Sequence, residues 1–298
     1  MAEVVGGPRR GLARWARRGF VAPTVLVTVI LGLYPLVFII GTAVTRSSLG
    51  KPFQEFVAFD QITAAATDTS VIGALIRGVA YALVVAVAST FLGTATALAL
   101  WRSALAGAAS RVVLLLPLAL PPVVVGVLWR LVFTPNGGLI DVVRRAVAPD
   151  SAPIAFLSDP VLAIVGIAVA DIWEWVPLVT ILVFAALLGI DHEVMEAASL
   201  DGAHGLRLLR EIALPAVAGT IAATFVIRLV LALKVFDLVD VMTKGGPGDA
   251  SSVPALLVWK AAIEQFDVGR GAAITLLLAV VVTLITLPPI LIARRSHV

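Results

Sequence analysis

The stretch EAASLDGAHGLRLLREIALP, Glu196 to Pro215, is a polar segment within an otherwise apolar chain. Asp191 suits the N-cap of a short helix over 192–200, because an Asp side chain accepts hydrogen bonds from the free amides of a first turn. A second short helix is predicted over 203–212, and Pro215 ends it by removing a backbone donor. The stretch therefore predicts a helix-turn-helix between two long apolar segments, here called the elbow (191–215).

The spacing of Glu-Ala-Ala, Asp-Gly-Ala and Ile-x-Leu-Pro within the elbow resembles the EAA loop of permease subunits of binding-protein-dependent ABC importers. This resemblance implies a coupling helix that docks in a cleft on a cytoplasmic ATPase subunit. The residues assigned to ATPase coupling are Glu196, Ala197, Ala198, Asp201, Gly202, Ala203, Ile212, Leu214 and Pro215. We expect Glu196 to make a charged contact with the ATPase, and Asp201 and Gly202 to set the turn. The alternative is a surface helical hairpin whose small residues only pack.

The composition is that of a membrane protein. The 298 residues are 60% hydrophobic and 14% charged, with a mean hydropathy of +1.06, which predicts a polytopic membrane protein. The net charge of +3 is spread over segment ends and carries no nucleic-acid signal. The chain has no cysteine, three scattered histidines and no Walker A motif. We therefore expect no catalytic residue, metal site or cofactor in this chain, with ATP and Mg²⁺ bound by a partner ATPase.

Six apolar runs are long enough to cross a bilayer. They are predicted at 20–44, 71–100, 112–133, 160–188, 214–236 and 270–293. Pro117, Pro121 and Pro122 must break or kink the third run, since proline cannot donate to the helical hydrogen-bond ladder. The predicted fold is all-α, with six transmembrane helices and the cytoplasmic elbow between spans four and five.

Positive charge sets the expected orientation. Residues 1–19 carry five arginines, which favours a cytoplasmic amino terminus, and an even number of spans places the carboxyl terminus there too. The run that follows is too long for a cleaved signal peptide. We therefore divide the chain into a basic cytoplasmic segment (1–19), a leading transmembrane helix with an outer loop (20–70), and the permease core (71–298). Arg77 and Arg130, near outer span ends, are expected to snorkel as interface anchors.

Three outer-loop sequences narrow the expected substrate class within this family. The segments PNGGLID at 135–141, TKGGP at 243–247 and FDVGRGAA at 266–273 resemble those of carbohydrate-importer permeases of the maltose and glycerol-phosphate type. This resemblance implies a bacterial-type plasma (inner) membrane and four partners: a second, related permease chain, two ATPase subunits and an external solute-binding protein. A homodimer of this chain is the alternative to that heterodimer. We expect the turn Gly245-Gly246-Pro247 to lie near the binding-protein docking surface, and the amphipathic stretch 254–266 to lie along the interface.

The informative charges within the predicted spans are Asp171, Glu174, Arg228 and Lys234. A charge at mid-span costs about 2.5–3.5 kcal/mol or more, so each should face protein or a watery cavity. Glu174 and Arg228 are equally far from the cytoplasmic ends of their spans, so we expect them to meet. They form either a structural ion pair or a polar site on the translocation path, where Trp173 or Trp175 would offer a flat face to a sugar ring. The candidate path residues are Asp171, Trp173, Glu174 and Arg228.

These observations predict a permease subunit of an ATP-driven importer for a carbohydrate or related polyhydroxylated solute. A proton-coupled secondary transporter that uses Asp171 and Glu174 is the main alternative. An intramembrane enzyme with those carboxylates as an acid/base pair is a further one. Neither alternative gives a reason for the elbow.

Overall fold

The computed structural model describes residues 9–102 and 107–295, and helices dominate both ranges. The helices are α1 (Arg9–Ala43), α2 (Asp60–Thr67), α3 (Thr69–Arg102), α4 (Ala108–Ala119), α5 (Pro122–Val132), α6 (Leu139–Val147), a 3₁₀ turn (Phe156–Ser158), α7 (Pro160–Leu188), α8 (His192–Leu200), α9 (Gly205–Leu208), a π-helical turn (Leu209–Ala213), α10 (Leu214–Leu233), α11 (Asp237–Met242), α12 (Pro254–Trp259), a second π-helical turn (Lys260–Glu264) and α13 (Val268–Arg295). Two strands, β1 (Thr45–Ser48) and β2 (Lys51–Phe56), form an antiparallel hairpin.

Five continuous helices in the described ranges are long and apolar enough to cross a membrane. They are Val21–Ala43, Thr69–Arg102, Pro160–Leu188, Gly205–Leu233 and Val268–Leu291. The predicted third span is instead a pair of helices, α4 and α5, bent by 101°. The predicted proline break is confirmed, because α4 ends at Ala119 and α5 restarts at Pro122. The described chain thus has five spans, or six if the bent pair is counted as one.

Helices α3, α7 and α10 pack together at the centre of the molecule. Small residues on α3 let α7 approach closely, as is common between helices in membranes. One close approach is at Gly93, where a β-carbon added to the glycine would lie 2.5 Å from Val179 Cβ and 3.1 Å from the Val176 carbonyl oxygen. Buried aliphatic side chains such as Val85 and Leu229 fill the remaining space.

Two smaller clusters mark opposite ends of this helix bundle. Ala97 near the end of α3 packs with Leu187, Ala213 and their neighbours, beside the elbow. Val71, at the start of α3, packs with Ala273 at the start of α13 and with α2. The second cluster lies at the end opposite the elbow, here called the distal end.

The predicted outer loop 46–70 contains a hairpin and α2, which the sequence patterns did not predict. This segment is fastened to the start of α13 at the distal end. Ser48 forms a β-bridge with Asp267, and the Arg270 guanidinium pairs with the Asp68 carboxylate at 2.7 Å. The Gln61 side-chain amide donates to the Thr45 carbonyl oxygen at 2.6 Å.

The segment PNGGLID closes on itself through Asp141, which is buried in α6. Its carboxylate accepts a hydrogen bond from the Gly137 backbone amide at 3.0 Å and pairs with Arg144 at 2.7 Å and with Arg145. The backbone bond from Gly137, followed by the two guanidinium groups, holds the pKa of Asp141 well below its ordinary value. The segment is thus a turn that is held by the hydrogen bond and the ion pairs of Asp141.

Arg77 and Arg130, the predicted interface anchors, also bind protein. Arg77 Nε donates to the Ser252 carbonyl oxygen at 3.1 Å, and Arg130 Nη1 donates to that of Val241 at 3.4 Å. Both arginines therefore hold the chain between α10 and α12 against the bundle. The stretch 254–266 also packs on α3 and α13.

Candidate translocation site and coupling elbow

A buried ion pair joins α7 and α10. Arg228 Nη2 lies 2.5 Å from Asp171 Oδ1, and the two residues are only 1% and 2% exposed. Helix α3 completes the network, because the Tyr81 hydroxyl donates to Asp171 Oδ2 at 2.6 Å and Arg228 Nε donates to Ser89 Oγ at 3.2 Å. Both carboxylate oxygens of Asp171 therefore have a partner, and this network links α3, α7 and α10.

The predicted pairing of Glu174 with Arg228 is wrong, since Arg228 pairs with Asp171. Helix α10 begins at Leu214 as predicted, so the depth of Arg228 counted from its predicted cytoplasmic end is unchanged, but its partner lies nearer the distal end than predicted. Asp171 is about one helical turn closer to that end than Glu174, and it meets the guanidinium first. The sequence reasoning also missed Tyr81 and Ser89, whose hydroxyls within an apolar span were the available signal.

Glu174 is buried but not paired. It is 3% exposed, and its Oε2 atom has no hydrogen-bond partner among the described residues. A cavity of about 100 Å³ lies beside it, lined also by Asp171, Trp175, Arg228 and Lys234. The Trp175 ring centroid lies 5.6 Å from Arg228 Cζ, so this ring covers the guanidinium. The cavity has room for several water molecules, and Glu174, one of its lining residues, has an oxygen without a donor.

Trp173 lies on the other side of α7. Its ring packs edge-on against Trp129 with centroids 6.0 Å apart, and both line an apolar cavity of about 660 Å³ at the α4–α5 bend. The structure thus brings together Asp171, Glu174 and Arg228 and separates Trp173 from them. Of the two tryptophans, Trp175 lines the polar cavity and Trp173 lines the apolar one.

The first half of the elbow has its predicted helix and turn, with Asp191 at the N-cap position, but the Asp191 side chain makes no capping hydrogen bond. Helix α8 covers His192–Leu200, and Gly202 adopts a left-handed φ of +72° that favours glycine. The turn is closed by the Ala203 amide, which donates to the Ala198 carbonyl oxygen at 2.9 Å. Ala198 and Ala203 are buried within the elbow, whereas Glu196 and Ala197 are exposed. Of the predicted small residues, only some can therefore meet a partner.

The second half of the elbow differs from its prediction. Helix α9 starts at Gly205, and a π-helical turn leads into α10 without a break, so Pro215 does not end the helix. Proline is tolerated here because it lies in the first turn of α10, directly after the wide π-helical turn. Ile212 and Leu214 are partly buried at this joint.

The exposed surface of the elbow is apolar as well as charged. Leu200 is 87% exposed, and Val194 and Leu206 are 48% and 59% exposed. Two i,i+4 pairs flank them: His192 Nδ1 lies 3.1 Å from Glu196, and Arg207 pairs with Glu211 at 2.9 Å. A group of exposed apolar side chains bordered by charged residues is typical of a contact surface for another protein.

The turn Gly245-Gly246-Pro247 folds back onto α12. Gly245 is buried with φ +89°, and a β-carbon there would lie 2.8 Å from Leu256. Lys244 and Asp249 beside it are exposed. Only the rim of this turn can therefore contact a partner. In the described ranges, no group of three or more His, Asp or Glu residues could hold a metal ion.

Comparison with known proteins agrees with this geometry. The sequence profile described as "Binding-protein-dependent transport system inner membrane component" matches residues 89–296. The trehalose/maltose transport system permease protein of Thermococcus litoralis is 31% identical over 205 residues, 69% of this chain and 68% of that protein. The trehalose transport system permease protein of Mycobacterium tuberculosis is 28% identical over 259 residues, 87% and 82% of the two chains.

The fold is also that of a solved transporter. A bacterial alginate ABC transporter, solved in complex with an alginate pentasaccharide-bound periplasmic protein, superposes with a TM-score of 0.83 at 20% identity, covering 96% of each chain. Because the profile covers more than half of the sequence, the assignment does not depend on one relative. The chain belongs to the family of inner-membrane components of binding-protein-dependent transport systems.

Proposed function

We propose that this chain is a permease subunit of an ATP-driven importer that moves a carbohydrate or related polyhydroxylated solute. Family membership and relatives named for trehalose and maltose transport support this substrate class. The single observation that carries the coupling role is the exposed apolar tip of the elbow at Leu200. In our proposal this tip enters a cytoplasmic ATPase subunit, which binds ATP and Mg²⁺, and both termini lie on the same side as the elbow.

The proposed assembly contains two permease chains, two ATPase subunits and an external binding protein. We propose a different but related chain as the second permease. The solved alginate transporter was captured with its periplasmic protein, which supports an external binding protein here. The rim of the Gly245-Gly246-Pro247 turn, at the distal end, is the proposed contact for that protein.

The proposed solute contact is Glu174, not the ion pair beside it. Asp171 and Arg228 use their charges on each other and on α3, whereas Glu174 Oε2 lacks a donor. A hydroxyl of a polyhydroxylated solute would supply one, with Trp175 as a neighbouring flat face. The cavity of about 100 Å³ would have to widen to admit a sugar.

The coupling role is tested by co-purification of this chain with its ATPase. Leu200→Asp places a charge on the 87%-exposed tip, Glu196→Lys reverses the charged contact, and Gly202→Asp strains a residue at φ +72°. We expect all three variants to lose the ATPase while remaining folded on size-exclusion chromatography. Asn136→Asp adds a charge at an exposed site in the loop after α5 and should retain it. Retention of the ATPase by the elbow variants would refute the coupling role.

The solute contact is tested with Glu174→Gln, which keeps the size of the side chain and removes its charge. A hydrogen bond to a charged group contributes about 1.5–3 kcal/mol, so uptake at low solute concentration should fall roughly tenfold to hundredfold. The measurement is uptake of labelled disaccharides, including trehalose and maltose, by proteoliposomes holding the assembled transporter. Glu264→Gln, at an exposed site, is the matched control. Unchanged uptake by Glu174→Gln would remove this residue from the path.

The two other functions considered are not favoured. A secondary transporter would move solute without an ATPase and would be indifferent to elbow substitutions. An intramembrane enzyme does not agree with membership of a transport family. The co-purification and uptake measurements separate both from an importer.

A further inference from the structure

The hairpin β1–β2 and the turn after it carry exposed apolar side chains. Phe56 and Phe59 are 73% and 68% exposed, and Leu49 and Phe53 are 52% and 49% exposed. Four large apolar side chains within eleven residues are unusual for a segment surrounded by water. This segment lies outside the residues matched by the family profile.

The hairpin begins where the first span ends. Helix α1 ends at Ala43 and β1 starts at Thr45, which is paired with Phe56 on β2. The Val57 amide donates to the Val44 carbonyl oxygen at 2.9 Å. Phe56 is therefore held at the level of the end of the span.

Phe53 reaches further back, along the span itself. Its backbone is left-handed, with φ +58°, and its amide donates to Ser47 Oγ at 3.0 Å. The ring meets Phe38 edge-on, with centroids 5.5 Å apart. Phe38 precedes the end of α1 by five residues, or about 7.5 Å of helix. The hairpin thus folds back to the depth of the outermost turns of the span.

The apolar surface of the hairpin continues that of α1. Val37 and Ile40 are 65% and 45% exposed, and the same is true of most apolar side chains on this helix from residue 21 onward. Since a spanning helix is surrounded by lipid, a segment packed on its outermost turns meets the same medium. The polar side chains of Arg46 and Glu55, which are cross-strand neighbours, pair with each other at 3.1 Å in an exposed position.

We propose that the hairpin β1–β2 and Phe59 form an interfacial anchor, immersed at the boundary between the lipid headgroups and acyl chains at the distal end of the molecule. Phe53, Phe56 and Phe59 lie in the acyl boundary. Lys51 and the Arg46–Glu55 pair lie among the headgroups, as amphipathic interfacial segments do. The contact partner is the lipid surface itself.

Because this chain contains no cysteine, an introduced cysteine is the only thiol in it that a label can modify. Spin labels are placed at Phe56→Cys and Phe59→Cys in the assembled transporter, in nanodiscs of phosphatidylethanolamine and phosphatidylglycerol. Leu31→Cys, on the exposed face of α1, is the lipid reference, and Asp150→Cys, in an exposed loop, is the water reference. We expect both hairpin labels to collide more often with oxygen than with a water-soluble nickel chelate, as Leu31→Cys does.

Two results would overturn the anchor. Hairpin labels that follow Asp150→Cys would place the segment in water, and labels shielded from both reagents would mean that another protein covers it. A second measurement needs no substitution: the wild-type transporter is irradiated with a photoactivatable phosphatidylethanolamine that carries its reactive group near the headgroup. Adducts on residues 49–59 are expected, and adducts confined to the spanning helices would contradict the proposal.

Discussion

Replacement of Arg228 by methionine is expected to prevent the chain from accumulating in its folded form. The substitution leaves the Asp171 carboxylate buried without its cation, and removal of one partner from a buried pair costs about 3–5 kcal/mol. That is a large fraction of the roughly 5–15 kcal/mol that stabilises a typical folded domain. Folded yield and the midpoint of thermal unfolding in detergent are the measurements.

Two further variants identify the cause. The double substitution Asp171→Leu with Arg228→Met removes both charges, so it should recover most of the lost stability. Arg46→Met breaks an exposed pair, 72% and 62% exposed, and should change the free energy of unfolding by less than about 1 kcal/mol. If Arg228→Met unfolds no earlier than Arg46→Met, the buried pair does not hold the three helices together.

Gly93→Val is the second substitution with a large expected effect. Its β-carbon would lie 2.5 Å from Val179 Cβ and 3.1 Å from the Val176 carbonyl oxygen, both on α7. No side-chain rotation relieves a contact with a β-carbon and a backbone atom, so α3 and α7 must move apart. Overpacking of this kind costs about 1–3 kcal/mol and occasionally more. The unfolding midpoint should fall accordingly.

The matched control for this substitution is Gly32→Val on α1. No atom lies within 4 Å of the β-carbon that this change would add, and the residue is likewise in a spanning helix. We expect the midpoint of this variant to stay near that of wild type. Equal midpoints for the two variants would show that the close approach at Gly93 is not required for folding.

The spans were predictable because long apolar runs have few other uses in a chain of this composition. Helix α7 has the predicted bounds, since Asp159 caps its start by accepting hydrogen bonds from the amides of Val161 and Leu162. The hairpin was not predictable, because Phe53 adopts a left-handed conformation that local preferences disfavour. Packing against Phe38 selects that conformation, and packing is not visible in a local pattern.

The site was predictable in its residues but not in its contacts. Charges within apolar runs identified Asp171, Glu174 and Arg228, because such charges need a special environment. Which carboxylate meets Arg228 depends on how α10 crosses α7, and that is not encoded locally. Tyr81 and Ser89 come from α3, far away in the chain, so only the fold brings their hydroxyls to the pair.

The unbroken helix from Gly205 to Leu233 has a mechanical consequence. Arg228 and the second half of the elbow belong to one continuous helix, in which about 35 Å separates Gly205 from Arg228. In the proposed coupling role, a push on the elbow would pass through the π-helical turn (Leu209–Ala213) into the rest of this helix and tilt it. Because Arg228 pairs with Asp171 on α7, the two helices would move together and displace Glu174 with them.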